Sequence, residues 1–177
     1  MNRWKRLAPS HADPWRPWLT SRGSLTWRIV ERSRGFRVEK IAQRFRIPNE
    51  DEYFALGRPT HKRALVREVI LHADGQPVVL AHSIAARRDL SGVWRALRGL
   101  GNRPLAEMLF TDPLVKRSPI EFSRVDSRHP LWRRARQVFG RTFPALWVRR
   151  SLFRKRGRPL MVTEVFLPAM LELRPWT

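Results

Sequence analysis

A chain of 177 residues with 42% hydrophobic residues is long enough to bury one substantial core and too apolar for intrinsic disorder. It contains no cysteine, which excludes disulfides and thiolate chemistry. Thirty-six Lys and Arg against 15 Asp and Glu give a net charge of +21, a balance that suits an anionic partner. The cations are spread along the chain without a basic tail, and only five are lysine. No nucleic-acid partner is therefore expected, whereas a cationic field fits an enzyme that draws in a dianionic metabolite. No apolar run approaches the roughly 18 residues of a membrane span. MNRWKRLAPSHADPW has no apolar stretch behind its basic residues, so it is not read as a secretory signal and a cytoplasmic protein is expected.

In chain order, Asp13 and Pro14 form a helix-start pair for a short helix to about Thr20. Ser24 is a second N-cap, followed by Leu25, Ile29 and Val30 at helical spacing, and Gly35 stops that helix. Phe36 to Ile47 is β-like and ends at Pro48. NEDEYFAL reads as a short helical link. KRALVREVILHA and QPVVLAHSIAA flank Asp74-Gly75, a preferred tight-turn pair, and predict a hairpin. Leu90 to Phe110 reads as two short helices around Gly99 and Pro104. SPIEFSRVD reads as a strand and HPLWRRARQVFG as a short amphipathic insert. ALWVRRSLFRK and LMVTEVFLP make a second hairpin around GRP. The sum is an α+β chain, one domain over 1–177, with an antiparallel sheet of about six strands. Its helical segments are expected on one face or edge.

Side chains alternate across a strand, so each strand can be sorted by face. Arg67 is the only charge among Leu65, Val69 and Leu71. His82 is the only ionisable group among Val78, Leu80 and Ile84. Glu164 is the only charge among Leu160, Val162 and Phe166. A lone charge on an apolar face is costly unless it is paired or binds something charged. Two readings stay open. Arg67 and Glu164 form a structural ion pair and His82 is a satisfied core histidine, or the inner face encloses a polar site whose arginine forks onto a carboxylate.

Other chemistries leave no trace. The five histidines show no metal-ligand spacing, and there is no nucleophile elbow, phosphate loop or dinucleotide fingerprint. Trp15, Trp18 and Trp27 are expected to pack the early helices. RRSLFRKRGR is expected to be the solvated face of a hairpin.

Three blocks carry a family resemblance. LVREVILHADGQPVVLAHS, LSGVWRALRGLGNRPLAEMLF and PLMVTEVFLP resemble, in this order, segments of the chorismate–pyruvate lyases of the bacterial ubiquinone pathway. The first 60 residues match only loosely. The resemblance implies an internal ligand site on an antiparallel sheet, covered by helical flaps. It implies conversion of chorismate to 4-hydroxybenzoate and pyruvate, with no metal or organic cofactor. Arg67 falls on the family's carboxylate-binding arginine, Glu164 on its active-site glutamate, Leu109 on a ligand-contacting leucine, and Leu25 where relatives can carry a methionine. Arg67 and Glu164 are the expected catalytic pair; Leu25, His82 and Leu109 complete the expected substrate-binding set. The sequence departs at His82, where relatives can carry a second arginine, and at Ala106, where a glycine can follow Pro-Leu. The expected partners are small molecules, chorismate and its product, and the expected state is a monomer. The effector-binding domains of some transcription regulators resemble the same fold, so the rival expectation is a sensor of small aromatic acids without catalysis.

Overall fold

The computed structural model describes residues 4–6, 10–12, 14–57 and 62–173. Two helices lead in, α1 (Arg16–Thr20) and α2 (Leu25–Arg32). The expected cap Asp13 lies outside the described residues. Ser24 caps α2, its hydroxyl accepting from Trp27 N at 3.3 Å. Strand β1 (Phe36–Arg46) follows, then α3 (Glu50–Leu56), β2 (Ala64–Ala73) and β3 (Gln76–Ala86). After 3₁₀ turns come α4 (Leu105–Phe110), β4 (Val115–Arg117), β5 (Glu121–Val125), α5 (Pro130–Phe139), β6 (Leu146–Lys155) and β7 (Arg158–Phe166).

The strands form one antiparallel sheet in the order β1-β2-β3-β7-β6-β4, with β5 also paired to β6. The sheet has seven strands where the sequence reading counted about six. The addition is β4, only three residues long and too short to show a period. Both hairpins turn on two residues with positive φ: Asp74 at 50° and Gly75 at 80°, then Arg156 at 48° and Gly157 at 75°. That geometry matches the right-handed twist of the paired strands. Asp74 also accepts from the backbone N–H groups of Arg34 and Gly35, tying the end of α2 to the turn.

Helices cover both faces of the sheet, not one. On the front, α1, α2, α4 and the 3₁₀ turns pack over two apolar clusters. One gathers Trp18, Leu19, Leu25, Ile29, Val69, Leu71 and Phe166. The other gathers Leu65, Trp94, Leu97, Leu109, Phe153 and Leu160. On the back, α5 lays Leu131, Trp132 and Ala135 against Ile70, Leu80, Val148 and Val165. Beside it α3 contributes Leu56 against Val66, Ile84 and Met161. The 129–140 insert thus closes the back of the sheet, and β2 is buried along its whole length. Among the tryptophans expected to pack, Trp18 is buried, while Trp27 is 46% exposed and tilts against Phe110 at 5.8 Å.

Candidate active site

Register decides what faces the space between the two front clusters. Arg67 on β2 pairs with Ser83 on β3, Ser83 with Val162 on β7, and Ala81 with Glu164. Arg67, Ser83, Val162 and Glu164 therefore share the front face. They line a cavity between the sheet and the helices that cover it. Its apolar walls include Leu25, Val69, Leu71, Leu109, Phe110 and Phe153. Pro104 to Phe110 roofs one side and the start of α2 the other.

The Arg67 side chain is 2% exposed and forms no ion pair among the described residues. Its Nη2 donates to the carbonyls of Gly101 and Arg103, both 3.0 Å away on the segment that leads into α4. Its Nε is buried without a partner. Burial in this apolar wall pushes its pKa down to about 10, which leaves it charged at neutral pH. A buried guanidinium held by carbonyls alone keeps an unmet demand for an anion.

Glu164 does not pair with Arg67. Its Oε2 accepts from Nε of Arg149, which stands opposite it on β6. Arg149 is fully buried, and its Nη1 donates to the carbonyls of Trp18, Leu19 and Ser21. The carboxylate is thereby fixed at the cavity wall, and its Oε1 accepts no hydrogen bond from any described residue. A charge-compensated carboxylate with one open oxygen can accept a hydrogen bond from a ligand hydroxyl.

His82 lies elsewhere. It pairs in register with Glu68 and so points to the back face. The sequence reading placed Arg67 and His82 on one inner face, but residues 67 and 82 sit on opposite sides of the sheet. Ser83 takes the front position that His82 was expected to fill. Behind the sheet, His82 Nδ1 lies 3.2 Å from Glu68 and Nε2 3.0 Å from Glu52, and Arg134 of α5 holds Glu68 at 2.6 Å. Burial alone would lower the His82 pKa, but Glu52 and Glu68 outweigh it and raise it to about 9. Burial alone would raise the pKa of Glu68, but His82 and Arg134 hold it down to about 2.

Of the five expected site residues, Leu25, Arg67, Leu109 and Glu164 meet at one cavity and His82 does not. Ala106, the other departure, also lines it. Three arginines carry no motif in the sequence that marks them as site residues. Arg149 sits in the stretch expected to be solvated, and Arg150 beside it is buried too, over the Trp4 ring and paired with Glu121 and Asp51. The alternation Trp147, Arg149, Ser151, Phe153 carried the signal for Arg149. Arg117 lines the cavity from β4.

One antiparallel sheet under short helices, with Arg67, Arg117 and Glu164 on a single apolar-walled cavity, defines an α+β protein with a candidate ligand site. The fold is similar to the effector domain of PhnF from Mycobacterium smegmatis, at TM-score 0.52 and 13% identity over 82% of this chain and 89% of that one. It is also similar to the ligand-binding domain of a putative GntR-family transcriptional regulator from Bordetella bronchiseptica, at TM-score 0.54 and 15% identity over 76% and 85%. These likenesses speak to the fold alone. Residues 5–173 match the chorismate lyase family. The chain is 49% identical to the "probable chorismate pyruvate-lyase" of Aromatoleum aromaticum, over 89% of this chain and 86% of that one. It is 47% identical to the protein of the same name from Nitrosomonas europaea, over 88% of both. The chain belongs to the chorismate lyase family.

Proposed function

We propose that this protein converts chorismate to 4-hydroxybenzoate and pyruvate, the entry step of ubiquinone biosynthesis, in the cavity between α2, α4 and the sheet. The observation that carries the proposal is the meeting of Arg67 and Glu164 on one apolar-walled cavity, in a chain of this family. Arg67 offers its unpartnered Nε–H to a substrate carboxylate, in a site where low polarity strengthens the contact.

The reaction breaks the ether bond at the ring and the neighbouring ring C–H bond. The ring becomes aromatic, and the hydrogen ends on the methylene carbon of the departing enolpyruvyl group, giving pyruvate. Aromatisation makes this strongly downhill, so the protein's task is to hold the substrate in a reactive conformation and balance developing charge. Glu164 does this by accepting the hydrogen bond of the ring hydroxyl through Oε1, while Arg149 holds it in place.

Purified protein incubated with chorismate without added metal should release 4-hydroxybenzoate, followed by chromatography. Glu164→Ala should lose activity by roughly 10²-fold or more, the scale of a lost positioning and charge contact at the reacting centre. Ligand binding without turnover in the wild type would refute the lyase and leave a sensor of aromatic acids. Normal turnover in the variant would remove Glu164 from the mechanism.

A further inference from the structure

The cavity is lined by two guanidiniums, Arg67 and Arg117, and one carboxylate, Glu164, which Arg149 holds from β6. Arg149 is spent on Glu164, so two cations remain without a counter-charge. Arg67 comes from β2 and Arg117 from β4, with β3, β7 and β6 between them in the sheet. Two separate uncompensated cations are what a dianion with its charges at opposite ends would occupy.

Arg117 is built into its place. Its Nε donates to Ser151 Oγ at 2.9 Å, and its Nη1 to the carbonyls of Arg22 at 2.7 Å and Gly23 at 3.2 Å. The guanidinium lies 5.7 Å over the Phe110 ring and 5.3 Å over the Phe153 ring, both of them cavity walls. It forms no ion pair with any described residue, and its Nη2 donates to none. Burial pushes its pKa down to about 10, with Glu164 opposing and Arg149 reinforcing that shift, so it stands within the electrostatic reach of both. At neutral pH it remains a cation.

We propose that Arg117 binds the second carboxylate of a dianionic substrate, the one that departs with the enolpyruvyl group, while Arg67 binds the carboxylate that stays on the ring. This assignment rests on the lyase reading above. It fills the role that His82, on the far side of the sheet, cannot take. It also makes the site differential. Substrate engages both cations and the aromatic product only one, so the contact with Arg117 is surrendered when pyruvate leaves.

The test compares two constants in the same preparations, the KM for chorismate and the inhibition constant for 4-hydroxybenzoate. Arg117→Gln should raise the first roughly 10-fold or more and leave the second within about twofold, the effect of losing one charge-assisted contact. Arg67→Gln should raise both. The ratio of the constants does not depend on how much of a variant is folded, which matters because Arg117 also anchors the approach to α2. Arg117→Lys, which keeps the charge, should restore part of the ratio. An equal loss of affinity for both compounds in Arg117→Gln, or no change in either, overturns the proposal. If the wild type does not turn over chorismate, the lyase reading fails separately. Chorismate then survives in the calorimeter, and its affinity relative to 4-hydroxybenzoate is read directly with the same variants and the same criteria.

Discussion

His82 is a charged group enclosed by two carboxylates, and its position makes stability depend on pH. Its pKa of about 9 in the folded protein lies above the ordinary 6.5, so the stability it contributes is fully present below about pH 6.5 and is lost as pH rises through about 9. Glu68, held at about 2 against an ordinary 4.5, acts in the other direction. Its contribution is present above about pH 4.5 and is lost as pH falls through about 2. The two share one interaction, and both are fully satisfied only between about pH 4.5 and 6.5. His82→Gln should lower stability by about 3–5 kcal/mol at pH 6, because Glu52 loses its counter-charge in a buried setting. The gap between wild type and variant in urea denaturation should narrow from pH 6 to pH 9. A constant gap would mean that His82 is not charged in the fold. Activity of the surviving folded variant should change little, since this cluster lies behind the sheet. The same rule that flagged His82, a lone ionisable group on an apolar face, also flagged Arg67 and Glu164. It located all three as special but could not name their partners, because partners come from other strands.

At the scale of elements, the front of the sheet depends on how α2 starts. Ser24 caps the helix and lines the cavity, and Leu25 beside it joins the front core. Ser24→Ala should lower stability by about 1 kcal/mol, seen as a drop in Tm, through loss of the hydroxyl acceptor for Trp27 N. It should also raise the KM for chorismate, because Arg117 grips the carbonyls just before this cap. Loss of stability with an unchanged KM would separate the cap from the site. The long strands, both hairpin turns and α2 were legible in the sequence, since local periodicity and turn chemistry carry them. β4 was not, although it delivers Arg117. Three residues have no period, and this strand exists only because β6 offers it an edge.

For the whole molecule, a net charge of +21 surrounds a cavity with two uncompensated cations. Such a field raises the encounter rate of an anion and is screened by salt, with a Debye length of about 10 Å at 0.1 M. kcat/KM for dianionic chorismate should fall as NaCl rises from 20 to 500 mM, a range chosen to take the Debye length from roughly 20 Å to roughly 4 Å. The inhibition constant of monoanionic 4-hydroxybenzoate should weaken by a smaller factor. Equal salt dependence for both would assign the charge to something other than substrate capture. Among the described residues no helix is long and apolar enough to cross a membrane.

The sequence by itself determined the antiparallel sheet, its hairpins and the special standing of Arg67 and Glu164, because alternation and turn residues are local properties of the chain. Only the tertiary structure decided which face each strand turns to the cavity, because face depends on register between strands and a one-residue difference reverses it. That difference sent His82 to the back among Glu52, Glu68 and Arg134, and put Ser83 in front. It also decided the partners. Arg149, hidden in a basic run, claimed Glu164 across the β6–β7 pair, and left Arg67 and Arg117 as the two open cations of the site.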